Sequence, residues 1–162
     1  MPSKIVPNLW FDGNAEEAAD FYVSVFENSR IVTKTHYPEG SPGPVGGVMT
    51  VEFELNGQRF TGINGGPQFT FSEAVSFMIN CSDQEEIDRF WEVLSEGGEE
   101  GPCGWVKDRF GLSWQVVPEG IDEVFADPDP KRAERAMQAM LKMGKLDIAA
   151  LRSAADSVSA PG

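Results

Sequence analysis

The sequence predicts an α+β fold made of two βαβββ modules followed by a helical extension. Three observations carry that reading. A strand-like run leads into an amphipathic helix twice, and the two helix patterns superpose at a shift of 69 positions. Asn56-Gly57 lies between two apolar runs, a strong hairpin signal because a type I′ turn needs positive φ at both central residues. After Pro118 the pattern changes to helical spacing.

In chain order, residues 4–11 alternate as a strand and Asp12-Gly13 ends it. Asn14 is placed to cap the next helix, with Glu17 three residues on as in a capping box. Ala18, Ala19, Tyr22, Val25 and Phe26 then fall on one face of a helix over 15–26. Strands follow at 30–37, 48–55 and 59–63, the first two joined by a Pro- and Gly-rich loop over 38–44. Asn64-Gly65-Gly66-Pro67 closes this module, giving boundaries of 1–66.

The plan then restarts over 67–120. A strand at 75–81 leads to Ser82, read as the cap of a helix with Glu85 behind it. Ile87, Phe90, Trp91 and Leu94 form its apolar stripe, and Gly97-Gly98 ends it. Strands at 105–107 and 111–117 flank the turn Asp108-Arg109-Phe110-Gly111. At the 69-residue shift Glu16-Glu17 falls on Glu85-Glu86, Phe21-Tyr22 on Phe90-Trp91 and Val25 on Leu94. Internal duplication explains this, and two unrelated amphipathic helices are the alternative. The extension, 121–162, holds helices at 131–143 and 146–155, and the tail from Ser157 on reads as frayed.

Composition narrows the function classes. The chain has 162 residues, 41% hydrophobic and 24% charged, ordinary values for a globular protein. A net charge of −13 argues against a nucleic-acid partner, since phosphate binding needs a basic stripe. No apolar run reaches membrane-spanning length and no signal-peptide pattern is present, so a cytoplasmic location with no membrane partner is expected. Cys81 and Cys103, 22 residues apart without CxxC spacing, read as cytosolic thiols, with a disulfide or metal pair as the alternative.

Several blocks resemble the PhnB-like branch of the glyoxalase/bleomycin-resistance, or vicinal oxygen chelate, superfamily. They are Asn14-Ala15-Glu16-Glu17-Ala18 with Phe21-Tyr22, Gly65-Gly66-Pro67 with Phe69 and Phe71, and the run from Cys103-Gly104-Trp105 through Val117-Pro118. Met137 to Leu141 with Lys145 to Ile148 also looks like this branch. The resemblance implies paired βαβββ modules curled into a U-shaped mixed sheet around a cavity, and a homodimer. Members often carry the label 3-demethylubiquinone 3-methyltransferase. The residues themselves show no Rossmann-like βαβ unit for a methyl donor, because no helix opens behind Gly65-Gly66-Pro67.

Enzymes of the wider superfamily hold a divalent metal with His and Glu side chains from matching strands. Laying this chain on that pattern puts Pro7 and Ser76 at the first-strand slots, with Thr61 and Gln115 at the last-strand slots. These are not a metal-binding set, so no metal and no cofactor are expected. The single histidine, His36, reads as a surface or satisfied residue rather than a catalyst. The candidate ligand-binding residues are Asn64, Ser76, Met78, Trp105, Ser113 and Gln115; their polar groups line a cavity or else face water. Cys103, two residues before Trp105 and near Lys107, is either a reactive thiol or an idle one. Lys107 and Asp108 are expected to pair with each other or with a partner subunit, and Met137, Met140 and Met143 to serve packing. The expected function is metal-independent binding of a small organic molecule, with a methyltransferase-like enzyme of the same family as the alternative.

Overall fold

Two four-stranded mixed sheets, each with the same strand order, organise the chain in a computed structural model that describes residues 3–157. The tail read as frayed lies, from residue 158 on, outside the described residues. The chain divides into two units, Met1–Phe71 and Ser72–Gly162. Among the described residues, no helix is long and apolar enough to cross a membrane.

In the first unit β1 (Asn8–Phe11) leads to α1 (Ala15–Val25), then β2 (Arg30–His36), β3 (Val48–Leu55) and β4 (Gln58–Asn64). The sheet order is β1-β4-β3-β2, with β1 parallel to β4 and the other pairs antiparallel. Strand alternation puts Leu9, Phe11, Val51, Phe53, Leu55 and Phe60 on one side, where α1 covers them with Ala18, Ala19, Tyr22 and Val25. Tyr22 stacks on Phe53, and Phe53 on Phe60. The hairpin at Asn56-Gly57 has φ of 49° and 84°, as the type I′ reading requires. Edge strand β2 carries two register shifts, which twist an unpaired edge and disfavour further pairing.

The second unit repeats the plan with β5 (Ser76–Cys81), α2 (Gln84–Ser95), β6 (Glu99–Glu100), β7 (Trp105–Lys107) and β8 (Ser113–Pro118), in the order β5-β8-β7-β6. The two-residue β6 escapes a periodicity reading because it is too short to alternate. Ile79, Cys81, Val106, Trp114 and Val116 meet Ile87, Phe90, Trp91 and Leu94 of α2. Then come α3 (Ile121–Phe125), also missed in the sequence, α4 (Pro130–Leu141) and α5 (Ile148–Asp156). Val117, Ile121, Leu146 and Leu151 form their core, with Met140 and Met143 packed against it while Met137 stays 37% exposed. The Arg135 guanidinium donates to the Ala154 and Ala155 carbonyls, favourable at the C-terminal end of α5.

Three local expectations are corrected. Asn14 makes no side-chain cap on α1; Asn64 on β4 does so instead, its Oδ1 accepting from the Ala15 N–H at 2.9 Å. That partner lies 49 residues away, beyond any local pattern. The cap of α2 is Asp83, whose carboxylate accepts from the Glu86 N–H, while the Ser82 hydroxyl donates to the Glu86 carboxylate. The shift of 69 aligns the helices, but strand faces and ladders align at 70: Leu9 matches Ile79 and Phe11 matches Cys81. The second strand-to-helix connection is one residue shorter, and one residue reverses which face a strand position occupies. Ser76 therefore corresponds to Val6 rather than to Pro7, whereas Thr61 and Gln115 do correspond.

Candidate functional site

Five of the six candidate residues lie in the second unit, on the side of its sheet turned away from α2. Ser76 and Met78 come from β5, Ser113 and Gln115 from β8, and Trp105 from β7. The ladder sets Ser76 opposite Ser113, Met78 opposite Gln115, and Trp105 opposite Gln115 on its other side. Directly opposed residues on one face are neighbours, so alternation alone brings these side chains together. Gln115 Nε2 donates to Ser76 Oγ at 2.9 Å. Met78 is half-exposed.

Asn64 is placed elsewhere, in the first unit. Its Oδ1 caps α1 and its Nδ2 donates to the Val48 carbonyl at 2.9 Å, so both ends of the amide serve the backbone. The Gly-Gly-Pro block beside it is structural as well. Trp10 Nε1 donates to the Gly66 carbonyl, and a Cβ on Gly65 would overlap the Trp10 ring.

A cavity of about 330 Å³ opens on the second unit, at the lower end of the range typical for small ligands. Trp105, Lys107 and Ser113 line it from the sheet, and Glu73, Glu99, Gly101 and Pro102 complete much of the wall. Ser113 is only 2% exposed as a residue; its hydroxyl has no hydrogen-bond partner among the described residues, and its oxygen is not one of the fully buried unpaired atoms but reaches the space of the cavity. A hydroxyl with no protein partner in a cavity wall is free to bond whatever enters the cavity. Trp105 is half-buried beside it and offers an indole face.

Lys107 does not pair with Asp108, as the sequence suggested; it forms an ion pair with Glu73, from the turn just before β5. The hydrogen bond from Lys107 holds the Glu73 carboxyl below its ordinary range, and the same bond raises Lys107. Asp108 is turned inward. Its Oδ1 accepts from the Phe110 and Leu112 N–H groups and its Oδ2 from Trp114 Nε1, fixing the β7–β8 loop. Glu100 is also engaged away from the open face, accepting from Trp91 Nε1 at 2.9 Å. That Glu73 and Glu99 line this cavity was not legible in the sequence: one lies in an irregular turn and the other on the short β6.

The Cys103-Gly104 pair works as a dock. Both residues have positive φ, and their N–H groups donate to the Met143 and Gly144 carbonyls, anchoring the α4–α5 connection. Both cysteines are free, and burial pushes the Cys81 thiol up to about 12.

The superfamily's divalent metal does not fit the residues at its slots. Ser76 and Gln115 are each other's hydrogen-bond partners, Val6, which matches Ser76, offers no side-chain donor, and a lone Thr61 is a poor ligand. Among the described residues, no group of three or more His, Cys, Asp and Glu is placed to hold a metal.

Residues 3–117 match the family model described as 3-demethylubiquinone-9 3-methyltransferase, so the match takes in both βαβββ modules but not the C-terminal helices. Among solved structures, a PhnB protein from Bacillus cereus is 38% identical, with 71% of this chain and 99% of that one covered at a TM-score of 0.63. A Pseudomonas aeruginosa protein (22% identity, 72% and 98% covered, TM-score 0.60) shares the fold. So does the fosfomycin resistance protein FosX from Mesorhizobium loti (13% identity, 78% and 98% covered, TM-score 0.57). No curated protein matches the sequence significantly. Duplicated βαβββ modules of one strand order, together with these matches, establish that the chain belongs to the PhnB-like 3-demethylubiquinone-9 3-methyltransferase family of the vicinal oxygen chelate superfamily.

Proposed function

We propose that the protein binds a small planar organic molecule in the cavity on the second module's sheet, without a metal ion. The observation that carries this reading is the unpartnered Ser113 hydroxyl in the wall of that cavity, beside the half-buried Trp105. A planar ligand gains stacking area against the indole and a hydrogen bond from the serine, and the serine's burial makes that bond worth forming. The donor chemistry at Ser76, Gln115, Thr61 and Val6 supports the metal-free part of the reading. The working form on this reading is a cytoplasmic homodimer. Its net charge of −13 disfavours nucleic acid.

The family description favours a second reading, a transferase acting on a small organic substrate. A thermal-shift screen of chelator-treated protein separates the two. Planar aromatics that raise Tm in the wild type, but not in Ser113→Val, support binding in the cavity, since a ligand stabilises the folded state by mass action. A shift with S-adenosylmethionine would favour the transferase, and a shift only after adding a divalent metal would overturn the metal-free reading.

A further inference from the structure

The two modules solve the same electrostatic problem differently. On the open face of the first sheet, Arg30 on β2, Glu54 on β3 and Arg59 on β4 stand in one cross-strand row. The central carboxylate is paired on both sides, with Arg30 at 3.1 Å and Arg59 at 3.3 Å. Ladder register places Glu99 on β6, Lys107 on β7 and Ser113 on β8 in the corresponding row of the second sheet. Here the central charge is a cation, and a strand supplies an opposite charge on one flank only. The other flank carries neutral Ser113, and the space there is the cavity. Glu73 brings a carboxylate to Lys107 from outside the sheet.

We propose that this flank is a carboxylate subsite, that the ligand is an aromatic carboxylate, and that Glu73 is the intramolecular carboxylate it displaces. The inference rests on the cavity-binding reading above and specifies its ligand. Lys107 and Ser113 are directly opposed on β7 and β8, so one carboxylate can accept from the ammonium and the hydroxyl together. Trp105, two residues along β7 on the same face, receives the ring. Glu73 shows that a carboxylate fits beside Lys107. It comes from an irregular turn and its side chain is 61% exposed, so little packing opposes its release. Ser113, whose hydroxyl has no partner among the described residues, is not reached by Glu73, whose carboxylate is engaged by Lys107 and by its own backbone N–H. Glu99 stays on its flank of Lys107 whether or not Glu73 leaves, as Arg30 stays beside Glu54.

The test titrates 2-naphthoate and its neutral isostere 2-naphthamide into the wild type, Glu73→Gln and Lys107→Gln. The wild type should prefer the carboxylate. Glu73→Gln should tighten naphthoate binding about tenfold, the factor expected if the internal pair is closed roughly nine-tenths of the time, and no tightening would overturn the role given to Glu73. Lys107→Gln should bring the naphthoate-to-naphthamide affinity ratio to about one, the value for a site that no longer distinguishes charge. Equal affinities in the wild type, or a ratio unmoved by both substitutions, would overturn the carboxylate subsite while leaving the cavity reading intact. Failure of both compounds to bind any variant would sink the two together.

Discussion

Replacing Asp108 tests how one buried carboxylate holds the loop that sets β7 against β8. The group is 2% exposed and accepts from Phe110 N, Leu112 N and Trp114 Nε1 at 2.8, 3.1 and 2.8 Å. Asp108→Asn keeps one oxygen for the two backbone donors but turns an NH₂ toward the indole N–H, so of these three bonds the one to Trp114 is lost. Leaving that buried donor unsatisfied costs about 1–3 kcal/mol. Asp108→Ala strands the Leu112 and Trp114 donors, both buried, while the half-buried Phe110 donor can reach water, so the cost rises to about 3–5 kcal/mol. With a urea slope near 2 kcal/mol/M, the unfolding midpoint should fall by roughly 1 M for Asn and roughly 2 M for Ala. Indole fluorescence reads both transitions. An Asn variant as stable as the wild type would show that the Trp114 bond contributes nothing. An Asn variant no better than Ala would show that the loop depends on the charge rather than on the two backbone bonds.

Other predictions are more local. Asn64→Ala removes the α1 cap and a bond to Val48, and should destabilise the protein by about 1–2 kcal/mol in the same assay. Gly98→Ala would drive a methyl group into the Lys107 carbonyl oxygen and to 2.9 Å from the Asp108 carbonyl carbon; a loss of at least about 1–3 kcal/mol is expected. At pH 8 iodoacetamide should leave Cys81 unmodified until the protein is denatured, because burial keeps its thiol protonated to about pH 12; peptide mass mapping checks this. Bonds from Arg30 first, then Arg59, hold the Glu54 carboxyl below its ordinary value, so this ion pair stabilises the fold above about pH 4.5 and is lost as pH falls through the depressed folded value. Glu54→Gln should therefore flatten the acid limb of the stability profile, and an unchanged limb would show that these pairs are screened to nothing.

The modules were legible because their signals are local. Period-2 alternation, helical stripes and Asn56-Gly57 each act within a few residues, and the structure keeps all of them. That Trp105 and Ser113 share the sheet face turned away from α2 was legible because alternation assigns a face without needing the fold. The places of Glu73 and Glu99 were not legible, since they arise from a turn and a two-residue strand brought to Lys107 by the chain's long-range path. The same limit hid Asn64 as a helix cap, because capping statistics look three or four residues ahead and its helix lies 49 residues back. The slip between the helix shift of 69 and the strand shift of 70 has a further lesson. A repeat measured on one element cannot be carried to the next when a connection has lost a residue, and in a strand that single residue decides which face a side chain meets.

The central claim is that the second module's open face binds an organic ligand with no metal present. Amide and indole ¹H–¹⁵N spectra of chelator-treated protein, recorded while 2-naphthoate is added, test it most directly. Saturable shifts are expected at Trp105 Nε1–H and at the Lys107 and Ser113 amides, with Asn64 and Ala15 unmoved. Shifts that arise only once a divalent metal is restored, or that map away from these three residues, would contradict it.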